Sequence, residues 1–306
     1  MNRFRRPSEP GAGPGRHHGL AAGLSAYVLW GFLPLLFHAL RAVPPFELVS
    51  WRVVFTVPVC LAFIAATRSG GDLLSVLKNR RVLLRLMLSA VLIGSNWTLF
   101  VAAVASGHVL ATSLGYYINP LINVLIGTLF LGEKLGWRQW AAVAIAATGI
   151  ALLLGGAIET LSVALTLAVT FALYGLVRKL TPVKAIVGLT VETLALLPLA
   201  MGYAFACTMH PGGSSLARGG LTATLLASSG LATAVPLLLF AMAARKLAFS
   251  TLGFLQYAAP TISFLLGILV LGEHLDPLKL ACFVLIWTAI GLFSWDAWRR
   301  QRAIAA

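Results

Sequence analysis

An all-α integral membrane protein of ten transmembrane helices, arranged as two inverted five-helix repeats, is the fold class this sequence predicts. Three observations predict it. Hydrophobic residues fill 59% of the 306 positions and charged residues only 10%, so the bilayer rather than water must solvate most of the chain. The apolar residues fall into ten runs, each near the roughly 20 residues needed to cross the hydrocarbon core. The second half repeats the first after an odd number of runs, so the two copies must enter the membrane from opposite sides.

Residues 1–18 are rich in Arg, Pro and Gly, with Arg3, Arg5, Arg6 and Arg16. They predict a disordered basic tail on the cytoplasmic side, followed by an uncleaved first span because no small-residue cleavage site follows. His17 and His18 have no neighbouring His or Cys to complete a metal site. The apolar runs lie at 19–39, 46–67, 82–104, 109–132 and 138–155, then at 159–178, 186–208, 223–246, 248–271 and 277–298. The first repeat is thus 19–155, the second 159–298, and 299–306 form a cytoplasmic tail. Gly and Pro within several runs are compatible with membrane helices, where neighbours re-satisfy the freed backbone groups.

Orientation follows from the basic residues, which are retained on the cytoplasmic side of short loops. With a cytoplasmic N-terminus, nineteen of the 23 fall inside, Arg178, Lys179 and Lys184 among them; only Arg41, Arg218 and Lys279 fall outside, and Arg52 lies in a span. The sequence therefore predicts a multi-pass protein of the plasma (inner) membrane with both termini cytoplasmic.

The repeat can be read directly. Pro120 to Leu152 aligns without gaps on Pro260 to Leu292, with about 13 identities in 33 positions. Pro120, Gly127, Leu131, Gly132, Glu133 and Leu135 match Pro260, Gly267, Leu271, Gly272, Glu273 and Leu275 at an offset of 140. Upstream, Ser113 to Tyr116 matches Thr251 to Phe254 at an offset of 138, so the second copy carries two extra residues in this helix. Trp30 and Gly31 match Tyr174 and Gly175 near the start of each half. Inverted repeats suit a carrier, which opens to either side by exchanging the conformations of two similar halves.

An ionisable group inside a span costs about 2.5–3.5 kcal/mol on insertion scales and asks for a reason. Arg52 and Glu192 stand out. Each lies about six residues, or ~9 Å, inside the second span of its repeat, at the shared offset of 140. Opposite insertion places Arg52 toward the outer leaflet and Glu192 toward the inner one, too far apart for a direct ion pair. The functional expectation is that Arg52 attracts an anionic or polar solute group and Glu192 accepts a cation or proton. The structural alternatives are that Arg52 snorkels outward and that Glu192 pairs with Lys184 or Arg178. Trp30, Asn96, Trp97, Tyr117, Asn119, Asn123, Tyr174, Gln256 and Tyr257 complete the expected solute-binding set, because Asn119, Gln256 and Tyr257 precede Pro120 and Pro260 in paired interrupted segments. Interhelical hydrogen bonding is the plainer role for such residues. Trp137, Trp140, Trp295 and Trp298 read as interfacial anchors, and Glu133 and Glu273 as structural residues at helix ends.

The net charge of +14 is dispersed between apolar runs, which excludes a nucleic-acid surface. No phosphate-binding Gly-rich loop with a following Lys is present, so no ATP motor is expected. Hydrolase and metalloprotease motifs are absent, and Cys60, Cys207 and Cys282 form neither a pair nor a ligand set. No cofactor and no catalytic residue is expected. The partners expected are a small-molecule solute and the lipid bilayer, with a coupling proton or cation and a homodimer left open. The rival readings are an integral membrane enzyme acting on a lipid-linked substrate, which would need a His, Asp or Cys constellation at one membrane face, and a pore.

Several stretches carry a family likeness: Ser25-Ala26-Tyr27 through Trp30-Gly31, Pro45 through Arg52, Gly94 to Trp97, Ser113 to Pro120, Val191-Glu192-Thr193 and Gly253 to Tyr257. Over about 19–298 the sequence resembles the RarD proteins, in the EamA branch of the drug/metabolite transporter superfamily. The resemblance implies a ten-helix inverted-repeat permease of the bacterial inner membrane and supplies no substrate. It also implies a His at the position of Trp51 and an acidic residue at that of Ala111. This chain departs from both, which leaves Glu192 as the carboxylate for any proton relay.

Overall fold

The computed structural model describes residues 14–106, 109–154, 158–210, 212–270 and 277–305, and helices joined by short turns account for all of them. In the first half these are α1 (Pro14–Ala39), α2 (Pro45–Ala66), α3 (Gly70–Lys78), α4 (Arg80–Ala105), α5 (Val109–Leu129) and α6 (Trp137–Leu154). The second half contributes α7 (Ile158–Leu180), α8 (Ala185–Met209), α9 (Gly220–Lys246), α10 (Phe249–Gln256), α11 (Ala258–Leu269) and α12 (Pro277–Ala305), with a 3-10 turn at Ser215–Arg218 before α9. Every predicted apolar run is helical.

Among the described residues, seven helical stretches are long and apolar enough to cross a bilayer, and Leu114–Leu129 and Leu280–Asp296 are shorter apolar helices. Leu129, Leu199, Leu221 and Leu269 are each at least 74% exposed. Hydrocarbon satisfies such a surface and water does not. The chain is an all-helical, multi-pass membrane protein.

Two helices outrun their expected ends. α1 is already helical at Pro14, inside the stretch expected to be a tail. α12 continues to Ala305, because Trp, Arg and Gln after residue 296 are acceptable helix formers. The short α3 was not expected. Leu73 and Val76 pack inward with Ile64 and Leu86, while Leu74 and Leu77 stay exposed.

The paired proline helices differ. α5 runs unbroken through Pro120, whereas its counterpart divides into α10 and α11 at Tyr257. The reason lies in the alignment. The two extra residues of the second copy fall between Phe254 and Pro260, and Pro260 cannot donate to the carbonyl of Gln256. The insertion is absorbed at that break.

α1 packs on α9, α10 and α11; α2 on α8 and α9; α4 on α7 and α8; α5 on α7 and α10; and α6 on α12. The largest buried cluster joins Tyr27 of α1, Cys60 of α2, Ile93 of α4, Tyr174 of α7, Leu189 of α8 and Phe240 of α9. The candidate site residues lie in and around it. Glu133, just after α5, receives the N–H groups of Phe249 at 2.5 Å and Ser250 at 3.0 Å and the Ser250 hydroxyl at 2.7 Å, capping α10 as a structural carboxylate should. Its repeat partner Glu273, with Leu271, Gly272 and Leu275, lies outside the described residues. At the far side of the molecule Arg138 lies over Trp137 and Trp295 at 5.1 and 5.4 Å and reaches Asp296 at 3.6 Å. Trp137 is 73% exposed, as an interfacial anchor is. The side chain of Trp298 lies outside the described residues.

Candidate functional site

Two small cavities open where helices of the two halves meet. Thr56, Trp97, Tyr174, Glu192 and Thr193 line the first, between α2, α4, α7, α8 and α9. Asn96, Phe100, Tyr116, Asn119 and Gln256 line the second, between α4, α5, α7 and α10.

Glu192 sits in a fully buried turn of α8, Val187–Thr193. Its Oε1 lies 3.3 Å from Nη1 of Arg178 and accepts the Ser89 hydroxyl at 2.6 Å. Arg178 and Glu192 side chains are 1% and 2% exposed. Arg178 occupies the last turn of α7, where Nη2 also donates to the carbonyl of Ala185 at 3.0 Å and so holds the start of α8. Gly188 makes this possible: a Cβ there would collide with the Arg178 guanidinium. Tyr174 stands one turn before Arg178 on the same face of α7. Its hydroxyl faces Glu192 without a closed hydrogen bond, and Oε2 of Glu192 is likewise buried without a partner. Lys184, the other cation weighed for Glu192, pairs instead with Asp72 of α3 at 2.7 Å.

Arg52, at the equivalent position of α2, has a different setting. Nε donates to the Thr233 hydroxyl at 3.1 Å, and the guanidinium carbon lies 5.4 Å from the Phe37 ring and 5.3 Å from the Trp97 ring. No carboxylate among the described residues pairs with it. Arg52 and Glu192 do not meet.

The amides form a ladder. Asn119 donates to the carbonyl of Ala168 at 2.6 Å, and Asn96 donates to that of Leu167 and to the Thr170 hydroxyl, both at 2.8 Å. Asn123, one turn after Asn119, divides its amide between Oδ1 of Asn119 and Oε1 of Gln256, each at 3.1 Å. Gly253 permits that last contact, since a Cβ there would stand 2.8 Å from the Pro120 carbonyl oxygen and hold α10 off α5. Oδ1 of Asn123 remains buried without a partner.

Trp30 and Tyr174, matched in the repeat, meet in one aromatic cluster. Trp30 lies 5.8 Å from both Phe171 and Phe240, and Tyr174 stacks on Phe240 at 5.8 Å. Tyr117 and Tyr257 are placed elsewhere. Tyr117 packs on Phe283 of α12 at 5.5 Å, and Tyr257 is buried against Phe254 in the core that α5 shares with α6 and α12; neither is among the lining residues of these two cavities. A helix places consecutive residues about 100° apart, so Tyr116 rather than Tyr117 reaches the second cavity.

Sequence reasoning named Arg178 as a possible partner of Glu192, which the structure bears out, but did not single out Ser89, Phe171 or Phe240; nothing in their spacing marks them. Glu47, also unassigned, is 2% exposed in the first turn of α2. Its carboxylate accepts the Ser214 and Ser215 hydroxyls at 2.6 and 2.8 Å, the Ser215 N–H at 2.7 Å and the Trp51 indole N–H at 3.2 Å, pinning the α8–α9 connection onto α2. Trp51, at the position where the family resemblance implies His, serves this clamp.

The EamA-like transporter family matches residues 17–155. An uncharacterized transporter of Pseudomonas aeruginosa is 42% identical over 286 residues, 94% of this chain and 96% of that protein. Protein RarD of Salmonella typhi is 41% identical over 288 residues, covering 93% and 97% of the two chains. The chain belongs to the RarD group of the EamA-like transporter family. RarD of Escherichia coli, 40% identical over 93% of this EamA-like chain, repeats the match. A protein of known crystal structure, 21% identical, superimposes with a TM-score of 0.75 over 92% of this chain and 99% of its own, so the RarD-group chain shares its fold.

Proposed function

We propose that this membrane transporter is a secondary carrier that moves a small organic solute across the bacterial inner membrane by alternating access. In this reading ten spans form two inverted repeats, 19–155 and 159–298, with both termini cytoplasmic, and the solute occupies the chamber around the two cavities. The packing of the helices supports it. Exchanging α1, α2, α4, α5 and α6 for α7, α8, α9, α10–α11 and α12 turns α1–α9 into α7–α4, α5–α7 into α11–α1 and α2–α9 into α8–α4, while α2–α8, α5–α10 and α6–α12 map onto themselves. A pseudo-twofold of this kind lets each half adopt the other's arrangement, which is what alternating access requires. Both cavities straddle the boundary between the exchanging halves.

Trp30, Arg52, Asn96, Trp97, Asn119, Asn123, Tyr174, Glu192 and Gln256 would contact the solute or carry its movement, with any coupling proton or cation handled at Glu192; Tyr117 and Tyr257 would support the chamber wall from behind. The chain would need no cofactor.

Two measurements test the proposal. Single cysteines in the turns after Gly132 and after Gly272 should label from opposite faces of intact cells; labelling from one face ends the inverted-repeat reading. In a deletion strain complemented by the gene, solutes that shift in the medium should move in proteoliposomes carrying the wild type. Asn119→Ala should carry less than half the wild-type flux at normal expression, and turnover of a lipid-linked substrate without movement of solute would favour the enzyme instead.

A further inference from the structure

We infer that the transported solute is a small organic monoanion, and that Arg52 binds its carboxylate or equivalent oxyanion. This deepens the carrier reading and rests on it.

An arginine within a span is costly unless a counter-charge meets it. In this chain the comparison is internal. Glu192, at the equivalent place in the other repeat, is neutralised by Arg178 at 3.3 Å. Arg52 pairs with no carboxylate among the described residues. Only its Nε has an acceptor, the Thr233 hydroxyl; Nη1 and Nη2 have none among the described residues. Those two amino groups present parallel N–H bonds, the pattern that a planar carboxylate satisfies with both oxygens.

The position suits a ligand rather than a headgroup. Trp97, 5.3 Å from the guanidinium carbon, lines the first cavity. Apart from Glu192, whose charge Arg178 meets, the walls are aromatic, aliphatic, amide or threonine hydroxyl, and no lysine or arginine is among the lining residues of either cavity. One uncompensated cation matches one negative charge. A doubly charged phosphate ester would carry an unmatched charge into an apolar chamber. Trp97 and Phe100 offer flat surfaces to the organic part of the ligand.

The test compares acids with amides of the same shape. Purified full-length protein in lipid nanodiscs is heated with benzoate or benzamide, and with hexanoate or hexanamide, at constant ionic strength. At least one acid should raise the melting temperature while its amide does not, and Arg52→Gln should weaken that acid about tenfold or more. Arg52→Lys, which keeps the charge without the paired donors, should recover part of the loss. Stabilisation by the amides as strong as by the acids, an equal shift from chloride alone, undiminished acid binding by Arg52→Gln, or no shift from any acid overturns the inference.

Flux is measured separately with benzenesulfonate, which stays charged and does not leak through lipid. Its movement in proteoliposomes, lost with Arg52→Gln, supports both readings. Passage of benzamide above the rate of empty vesicles, with none of the sulfonate, keeps the carrier and removes the anion site. Acid binding that depends on Arg52, with no flux of sulfonate, keeps the anion site and counts against transport.

Discussion

Arg52 and Glu192 stand at aligned positions of the two halves of the sequence, 140 residues apart. Each lies in the second long helix of its half, and each is followed six residues later by a proline, Pro58 or Pro198. Their surroundings nevertheless differ in kind. Around Glu192 the chain supplies a counter-charge, a hydroxyl donor and a glycine that clears the space; around Arg52 it supplies two rings and one threonine. The repeat preserves the scaffold while the electrostatics diverge. One half closes its intramembrane charge within the protein, and the other leaves its charge without a carboxylate among the described residues. Such a division suits a carrier, because a charge locked at rest can hold a conformation while an open one can read cargo.

The most direct way to break the comparison is to open the closed side. Arg178→Ala leaves a buried carboxylate beside Ser89 with no cation, and should cost about 3–5 kcal/mol of stability, read as a lowered denaturation midpoint in detergent. Replacing both partners with methionine should recover most of that loss, since the apolar pair leaves no charge behind. Arg52→Gln strands no protein charge and should cost only about 1–2 kcal/mol, the worth of its ring and threonine contacts. Equal losses at the two sites would mean that both charges are structural.

A gentler variant sharpens the same point. Gly188→Ala adds one methyl group where the Arg178 guanidinium lies, and overpacking of that kind costs about 1–3 kcal/mol. In an Arg178→Met background the added methyl should cost less, and a double-mutant cycle measures the difference. A loss that persists unchanged would place the strain in the α7–α8 backbone rather than in the ion pair.

These contacts also mark how far the sequence could be read. Hydropathy located the long helical runs and missed only the short α3 among the described α-helices, because the bilayer imposes length and composition on each span. The repeat located Arg52 and Glu192 as equivalents, and its two extra residues anticipated where α10 and α11 part. Arg178 was named beside Lys184 as a possible partner of Glu192, and was also counted among the cytoplasmic cations at the end of its span. The choice between the two cations rests on tertiary packing, which gives Glu192 to Arg178 and Asp72 to Lys184. Tyr117 and Tyr257 were grouped with the chamber by their nearness to Asn119 and Gln256 in sequence, yet neighbours along a helix face different directions. Glu47 gave no signal, since an acid in a first turn is ordinary and its serine partners lie more than 160 residues away.

The amide ladder should give the smallest effect, and it asks whether neutral polar contacts in the chamber behave like the lock or like the open cation. Asn123 holds α5 to α10 through Gln256 and braces Asn119, which in turn holds α7. Hydrogen bonds between membrane helices average about 0.6 kcal/mol in double-mutant cycles and reach about 1.7, because the unfolded segments find other partners within lipid. A cycle of Asn123→Ala with Gln256→Ala should therefore show a coupling near 0.6 kcal/mol, several-fold below the Arg178–Glu192 pair. Oδ1 of Asn123 has no donor at rest, so the residue has a free acceptor to offer a solute. Flux in the Asn123→Ala single variant should consequently fall by more than its stability loss explains. A variant that lost stability and kept its flux would return the ladder to helix packing alone, and would confine recognition of the solute to the side of the chamber that holds Arg52.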